Sequence, residues 1–145
     1  MQTYQKVLIA LELTPECDRF LLKKTQDWSA QGGAQLYLIH AVEQMSNYGA
    51  AYGISAGVDI EEVLVKEAKE AMAEIAAQFN IPVQRQIVKT GPAKFLILEE
   101  AEKLGVDLMV VGSHGRHGVR LLLGSTANAV LHGANCDVLA VRIKE

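Results

Sequence analysis

The sequence predicts an α/β fold in which one domain, residues 1–145, forms a doubly wound, Rossmann-like sheet of five parallel strands. Two observations predict this class. Short apolar runs alternate with longer amphipathic stretches, which is typical of βαβ units. The chain has 145 residues, of which 50% are hydrophobic, so it can bury one core without disulfides or a structural metal. Right-handed crossovers between these elements favour the strand order 3-2-1-4-5.

The first part of the chain contains two strands, one helix and a long loop. Val7–Leu11 is a continuous apolar run and predicts a buried first strand. A helix begins at Thr14-Pro15-Glu16, because threonine can cap it and proline fits its first position, and it ends at Gly32-Gly33. Leu36–Val42 predicts the second strand. Glu43–Gly57 has no hydrophobic period, which indicates a loop.

The rest of the chain continues the alternation. Val58–Phe79 repeats apolar residues at helical spacing and predicts the second helix. Val83–Val88 alternates and predicts the third strand. Gly91-Pro92 opens a third helix that ends at Leu104. Asp107–Val111 is apolar after its first residue and predicts the fourth strand. The last two predicted elements are the helix Ser125–His132 and the strand Val138–Ile143.

Composition and charge exclude several classes of protein. The net charge is −3, whereas proteins that bind nucleic acid are usually basic, so we expect no nucleic-acid partner. No apolar stretch approaches a membrane span, and Met1–Lys6 lacks the pattern of a signal peptide. Cys17 and Cys136 form no C-x-x-C or metal-ligand pattern, and we expect a buried thiol at each. These features favour a cytoplasmic protein without a membrane partner.

The predicted topology locates a ligand site before any motif is considered. In the order 3-2-1-4-5 the winding of the sheet reverses between the first and fourth strands. Open α/β sheets bind ligands at the carboxyl ends of the strands beside such a point. The residues that follow these two strands are Leu11-Glu12-Leu13 and the segment that begins at Gly112.

The segment Gly112–Thr126 carries the residue types of a phosphate site. Glycines let backbone amides approach an anion, and Gly124-Ser125-Thr126 opens a helix whose first amides favour negative charge. Arg116, His117 and Arg120 add cationic or polar side chains. A glycine-rich turn with such a cap is also common as plain structure, and that alternative stays open. The chain has neither a P-loop motif nor a dinucleotide fingerprint.

Four segments carry a recognisable family pattern: Val7–Glu12, Leu38–Val42, Ala101–Gly115 and Cys136–Arg142. In these segments, and over its whole length, the chain resembles the universal stress protein family. Nucleotide-binding members of the family carry G-x-x-G, nine residues and G-[ST]. Here Gly112-x-x-Gly115 and Gly124-Ser125 are intact, but eight residues separate them. Glu12 stands where nucleotide-binding relatives usually have aspartate.

The resemblance implies an adenine nucleotide alpha hydrolase-like fold that binds ATP or AMP, with any Mg²⁺ carried by the phosphates. Contacts to the adenosine would come from Leu11, Glu12, Ala41 and Val111. Contacts to the phosphates would come from Gly112, His114, Gly115, Arg116, Gly124, Ser125 and Thr126. The resemblance also implies a bacterial stress-response regulator that supports survival under starvation, oxidative or DNA-damaging stress. A homodimer through the edge strand Val138–Ile143 and a protein partner are expected.

Two functions of other classes stay open. One is a nucleotide-independent adaptor, as in the UspA branch of the family, which the shortened spacer and Glu12 favour. The other is a slow ATPase that would use His114 and Arg116. We predict no catalytic residue, because His114 has no acidic or nucleophilic partner nearby in sequence. We predict no dedicated metal site either, and we expect His40 to be hydrogen-bonded in the core or at the pocket edge.

Overall fold

A computed structural model of the protein describes residues 4–29, 33–43, 60–114 and 124–143. The strands in these ranges are β1 (Lys6–Ala10), β2 (Gln35–Val42), β3 (Gln86–Thr90), β4 (Leu108–His114) and β5 (Asp137–Ile143). The helices are α1 (Pro15–Ser29), α2 (Ile60–Gln78), α3 (Ala93–Leu104) and α4 (Ser125–Gly133). All strand pairs are parallel, and the order is β3-β2-β1-β4-β5. The predicted fold class and strand order are confirmed.

Helices cover both faces of the sheet, so the chain has two cores. Along β1, Val7 and Ile9 face one core and Leu8 faces the other, because successive side chains of a strand point to opposite faces. The first core contains residues of α1 and α2, namely Leu21, Leu22, Met72, Ile75 and Ala76. The second contains residues of α3 and α4, namely Ile97, Ala101, Ala127 and Val130. Each fully buried aliphatic side chain stabilises the fold by about 1.5–3 kcal/mol.

The central strands β1 and β4 separate at their carboxyl ends. They pair only from Val7↔Leu108 to Ile9↔Val110. Beyond that point the β1 side stays with β2, since the amide of Leu11 donates to the carbonyl of Ile39 at 2.8 Å. The β4 side stays with β5 as far as His114↔Ile143. A crevice therefore opens between them at the predicted switch point.

The predicted start of the third strand is wrong. Val83–Arg85 form a 3₁₀ turn, and β3 begins only at Gln86 and continues to Thr90. The turn is closed by a hydrogen bond of 3.0 Å from the amide of Arg85 to the carbonyl of Pro82. Val83 is 70% exposed, so the apolar alternation here is not the pattern of a half-buried strand.

The predicted end of the fourth strand is also wrong. The apolar run ends at Val111, whereas β4 continues for another three residues. These residues pair with β5 through Gly112↔Val141, Ser113↔Arg142 and His114↔Ile143. The pairing with a distant segment extends the strand through residues of low β-propensity.

Other boundaries fall within a few residues of the prediction. Helix α1 ends at Ser29, and residues 30–32 before the predicted stop at Gly33 lie outside the described ranges. Most of the predicted loop Glu43–Gly57 also lies outside them. Both cysteines are half-buried rather than buried as expected. In the described part of the chain, no helix combines the length and the apolar character that a membrane crossing requires.

Candidate functional site

The turn after β1 forms one wall of the crevice, and its first residue is held from the side of β2. The amide of Leu11 donates to the carbonyl of Ile39, and its carbonyl accepts a bond of 2.8 Å from Nδ1 of His40. Since a carbonyl only accepts, Nδ1 carries the proton in this bond. His40 is half-buried, and this bond confirms the expectation that it is hydrogen-bonded.

The next residue of the turn is held from the side of α1. The amide of Glu12 donates to Oδ1 of Asp18 at 3.3 Å, and the amide of Leu13 lies near enough to the same carboxylate to favour its ionised form. Leu13 has a φ of 63°, a left-handed conformation that costs a non-glycine residue about 1–2 kcal/mol. The turn therefore keeps an unfavourable backbone conformation because its neighbours fix it.

Asp18 is a buried carboxylic acid beneath this turn, with only 3% of its surface exposed. Burial raises the pKa of Asp18 to about 6, and the negative charge of Glu12 acts in the same direction. The amides of Glu12 and Leu13 oppose the shift by stabilising the carboxylate. Most Asp18 side chains are therefore ionised at neutral pH, in spite of the burial.

The end of β4 forms the opposite wall. Val111 is 3% exposed and belongs to the core under α3 and α4. Gly112 is half-buried, and a Cβ at this position would lie 2.7 Å from Cδ1 of Ile143. A side chain at position 112 would therefore force Ile143 to move whether or not a ligand binds.

Gly124, at the start of α4, differs from Gly112 because the described packing leaves room for a side chain there. Gly124 has φ −59° and ψ 160°, which other residues adopt easily, and no described atom lies within 4 Å of a Cβ built there. The first helical hydrogen bond runs from the amide of Asn128 to the carbonyl of Gly124. The amides from Ser125 to Ala127 precede this bond. Gly124 has no side chain that could cap them. The first turn also has no acidic residue, so this helix end suits an anion.

The first turn of α4 lies beside the end of β4. Ala127 and Val111 belong to the same buried cluster, so the helix begins next to the crevice. The connection between them includes Gly115 and Arg116, which lie outside the described residues. His117 and Arg120, which the sequence suggested as polar or cationic side chains near a phosphate, lie in the same segment.

The other predicted site residues differ in exposure. Leu11 and Val111 are buried, so they offer a ligand mainly their backbone. Ala41, at the end of β2, and Thr126 are half-buried, whereas Glu12, Gly124 and Ser125 are exposed. His114 is the last residue of β4. In the described ranges, no group of three or more His, Cys, Asp or Glu side chains is arranged to hold a metal ion.

Sequence reasoning missed Asp18, although the helix pattern contains a signal for it. The buried residues of α1 are Asp18, Leu21, Leu22 and Thr25, which have the spacing i, i+3, i+4 and i+7. A carboxylate on the apolar stripe of a helix needs a hydrogen-bond donor nearby. The donors come from a turn whose backbone conformation the sequence does not specify.

A sequence model described as "Universal stress protein family" matches residues 3–142. The chain belongs to this family. Among curated relatives, Universal stress protein A homolog 2 of Coxiella burnetii is 66% identical over 144 residues, which are 99% of each chain. The resemblance found in the four sequence segments is confirmed.

Solved structures of universal stress proteins share the fold. The universal stress protein UspA from Lactobacillus plantarum matches with a TM-score of 0.74 at 19% identity, covering 98% of this chain and 100% of that one. A universal stress protein in complex with cAMP matches with a TM-score of 0.61 at 19% identity, covering 97% of this chain and 98% of that one. At these identities the comparison establishes the fold.

Proposed function

We propose that this universal stress protein binds an adenine nucleotide, ATP or AMP, in the crevice between β1 and β4 and acts as a stress-response regulator. The observation that carries the proposal is Gly124. Neither its backbone angles nor the described packing requires glycine, and the residue stands at a helix N-terminus to which it contributes no side-chain cap. A phosphate close to the backbone supplies a reason for the missing side chain.

The two walls would have different roles. On the β1 side, the exposed Glu12 carboxylate would accept hydrogen bonds from ribose hydroxyls, and the backbone near Leu11 and Ala41 would face the base. On the β4 side, the first amides of α4 and the hydroxyls of Ser125 and Thr126 would meet the phosphates. Mg²⁺ would arrive with the phosphate oxygens, its preferred ligands. The complex of a family member with cAMP supports this class of ligand.

Nucleotide occupancy would regulate a cytoplasmic homodimer and, through it, a protein partner. In this proposal β5 pairs with its copy along the edge of the sheet. Because β5 also pairs with the end of β4 that borders the crevice, a ligand there can bias the dimer surface. The biological role would be survival under starvation, oxidative or DNA-damaging stress.

Two observations favour a second candidate, a nucleotide-independent adaptor. The packing of Ile143 already disfavours a side chain at position 112, so Gly112 is no evidence for a ligand. The loop between Gly115 and Gly124 is also one residue shorter than the family's nucleotide-binding pattern. The adaptor keeps the same fold and dimer but leaves the crevice without a nucleotide.

The test uses two substitutions of one size at the start of α4, Gly124→Asp and Gly124→Asn. Both residues are good helix caps, so stability should stay within a few tenths of a kcal/mol or rise slightly. Asp adds a charge that repels phosphate. We expect Gly124→Asp to bind ATP at least about tenfold more weakly than Gly124→Asn, as measured by calorimetry with Mg²⁺. Adenosine, which lacks phosphate, should bind both variants alike.

Asn135→Asp is the control for charge, because it adds one negative charge without a change in size. Asn135 is exposed and lies between α4 and β5, at the opposite edge of the sheet. Its ATP affinity should equal that of the wild type. Nucleotide-stripped wild type that binds neither ATP nor AMP at high micromolar ligand would contradict the proposal and favour the adaptor. Phosphate release that disappears in His114→Ala would favour the ATPase instead.

A further inference from the structure

We propose that Asp18 is a positioning residue for the adenosine side of the site, whose buried carboxylate fixes the β1–α1 turn so that Glu12 and its backbone face the nucleotide. This inference rests on the proposed function and deepens it. Asp18 itself would not touch the ligand, because its side chain lies under the turn, in the buried stripe of α1.

The contacts hold two successive residues of the turn from two elements. His40 of β2 donates to the carbonyl of Leu11, and Asp18 of α1 accepts from the amide of Glu12. Removing either partner would leave polar backbone groups of the turn without these bonds. The turn would then lose the support that keeps its conformation.

The side chain of Asp18 is attached to a rigid part of the backbone. The amide of Asp18 donates to the carbonyl of Thr14 at 2.9 Å, so its backbone belongs to the first turn of α1. A rigid helix turn holds a side chain more precisely than a loop does. An ionised acceptor also forms stronger bonds with amides than a neutral oxygen. The geometry therefore suits precise placement of the turn.

Stability alone does not account for a carboxylate at this position. Burial disfavours the ionised form of Asp18, so at neutral pH the group costs folding free energy. Leu13 adds the cost of its left-handed backbone. Two unfavourable features meet at the turn that borders the proposed ligand, which is where strained and buried polar groups tend to serve function.

The experiment compares two variants whose side chains branch as aspartate does. Asp18→Asn keeps Oδ1 as an acceptor, whereas Asp18→Leu removes both acceptors. Thr25→Ala is the control, because Thr25 lies seven residues along the same buried stripe and its hydroxyl bonds only within the helix, to the carbonyl of Leu21. Thr25→Ala therefore perturbs α1 without removing a contact to the β1–α1 turn.

We expect Asp18→Leu to lower the affinities for adenosine and for ATP by the same factor, about tenfold or more, because the defect lies on the adenosine side of the site. Asp18→Asn should restore most of the affinity, and Thr25→Ala should leave it unchanged. In amide hydrogen exchange, Glu12 and Leu13 should exchange faster in Asp18→Leu but not in Thr25→Ala. Gly124→Asp, in contrast, should lower the affinity for ATP and leave the affinity for adenosine unchanged.

The outcomes separate this inference from the proposed function. Wild type that binds no adenine nucleotide overturns the proposed function, and the role of Asp18 in binding falls with it. Wild type that binds while Asp18→Leu binds equally well overturns the positioning role alone. Equal losses in Asp18→Leu and Thr25→Ala, or no rescue by Asp18→Asn, overturn it as well.

Discussion

At the scale of single residues, Asp18 links the site to pH. Its ordinary pKa is 3.8, and burial raises the pKa to about 6 in the folded protein. The folded state therefore binds this proton more tightly than the unfolded chain does. The resulting stabilisation is complete below the unfolded pKa, declines between pH 3.8 and about 6, and is lost above that range.

We therefore expect Asp18→Asn to gain stability over the wild type as the pH rises. Asparagine has no charge to bury, so the variant should lack this decline. The difference in the free energy of unfolding should grow by on the order of 2–3 kcal/mol between pH 4 and 7.5 and then level off. Urea denaturation at a series of pH values measures it.

The matched control is Asp27→Asn on the same helix, where the side chain is 69% exposed. The difference in the free energy of unfolding between this variant and the wild type should change little over the same pH range. An exposed carboxylate loses little hydration on folding. A difference for Asp18→Asn that stays flat, or falls as the pH rises, would show that Asp18 is not a buried acid.

At the scale of elements, most of the sheet could be predicted because the central strands β1, β2 and β4 are buried on both faces. Such strands appear as apolar runs, as Val7–Leu11 and Leu36–Val42 do. The errors lie where that signal fails. Val83 is apolar but exposed in a turn, and the end of β4 is a strand only because β5 pairs with it. Pairing between distant segments cannot be inferred from local composition.

The contact between β4 and β5 leads to a test of Gly112. Gly112→Ala should cost about 1–3 kcal/mol, because the new Cβ would lie 2.7 Å from Cδ1 of Ile143 and that side chain must move. Ile143→Val, which removes Cδ1, should cost about 0.5–1.5 kcal/mol. Its remaining Cγ1 would be 3.4 Å away, an ordinary contact.

In the double variant the alanine should therefore cost little more than Ile143→Val alone. The interaction between the two changes should be at least about 0.5 kcal/mol in a cycle of urea denaturations. Additive losses would mean that glycine is required at 112 for another reason. That result would restore Gly112 as evidence for a ligand.

At the scale of the whole molecule, the predicted topology led directly to the crevice between β1 and β4. The reversal between β1 and β4 was predictable from the order of elements, and it identified the turns after Leu11 and Val111. Leu11 is buried, as its place in a predicted buried strand implied, and Val111 is buried too, so both face the crevice mainly with their backbone. Asp18 was missed because its role depends on the backbone of a turn that is distant from any motif.

The two edges of the sheet differ in their suitability for pairing. β3 has five residues and includes Lys89, which forms an ion pair with the buried Glu100 of α3. A short edge strand that contains a lysine discourages pairing with another chain. β5 has seven residues, most of them apolar, and its one charged side chain beyond Asp137 is Arg142. Among the described strands, β5 is therefore the better edge for the proposed two-fold dimer.

The dimer can be tested without a mutation. In a parallel strand, the amides of alternate residues point to opposite sides, so half of the β5 amides bond to β4 and half face the open edge. If β5 pairs with its copy, the outward amides should exchange slowly at high protein concentration and at least about tenfold faster on dilution to monomer. The β3 amides provide the control and should not respond to dilution. Sedimentation gives the fraction of dimer at each concentration. Outward β5 amides that exchange rapidly while sedimentation reports a dimer would assign the interface to another surface.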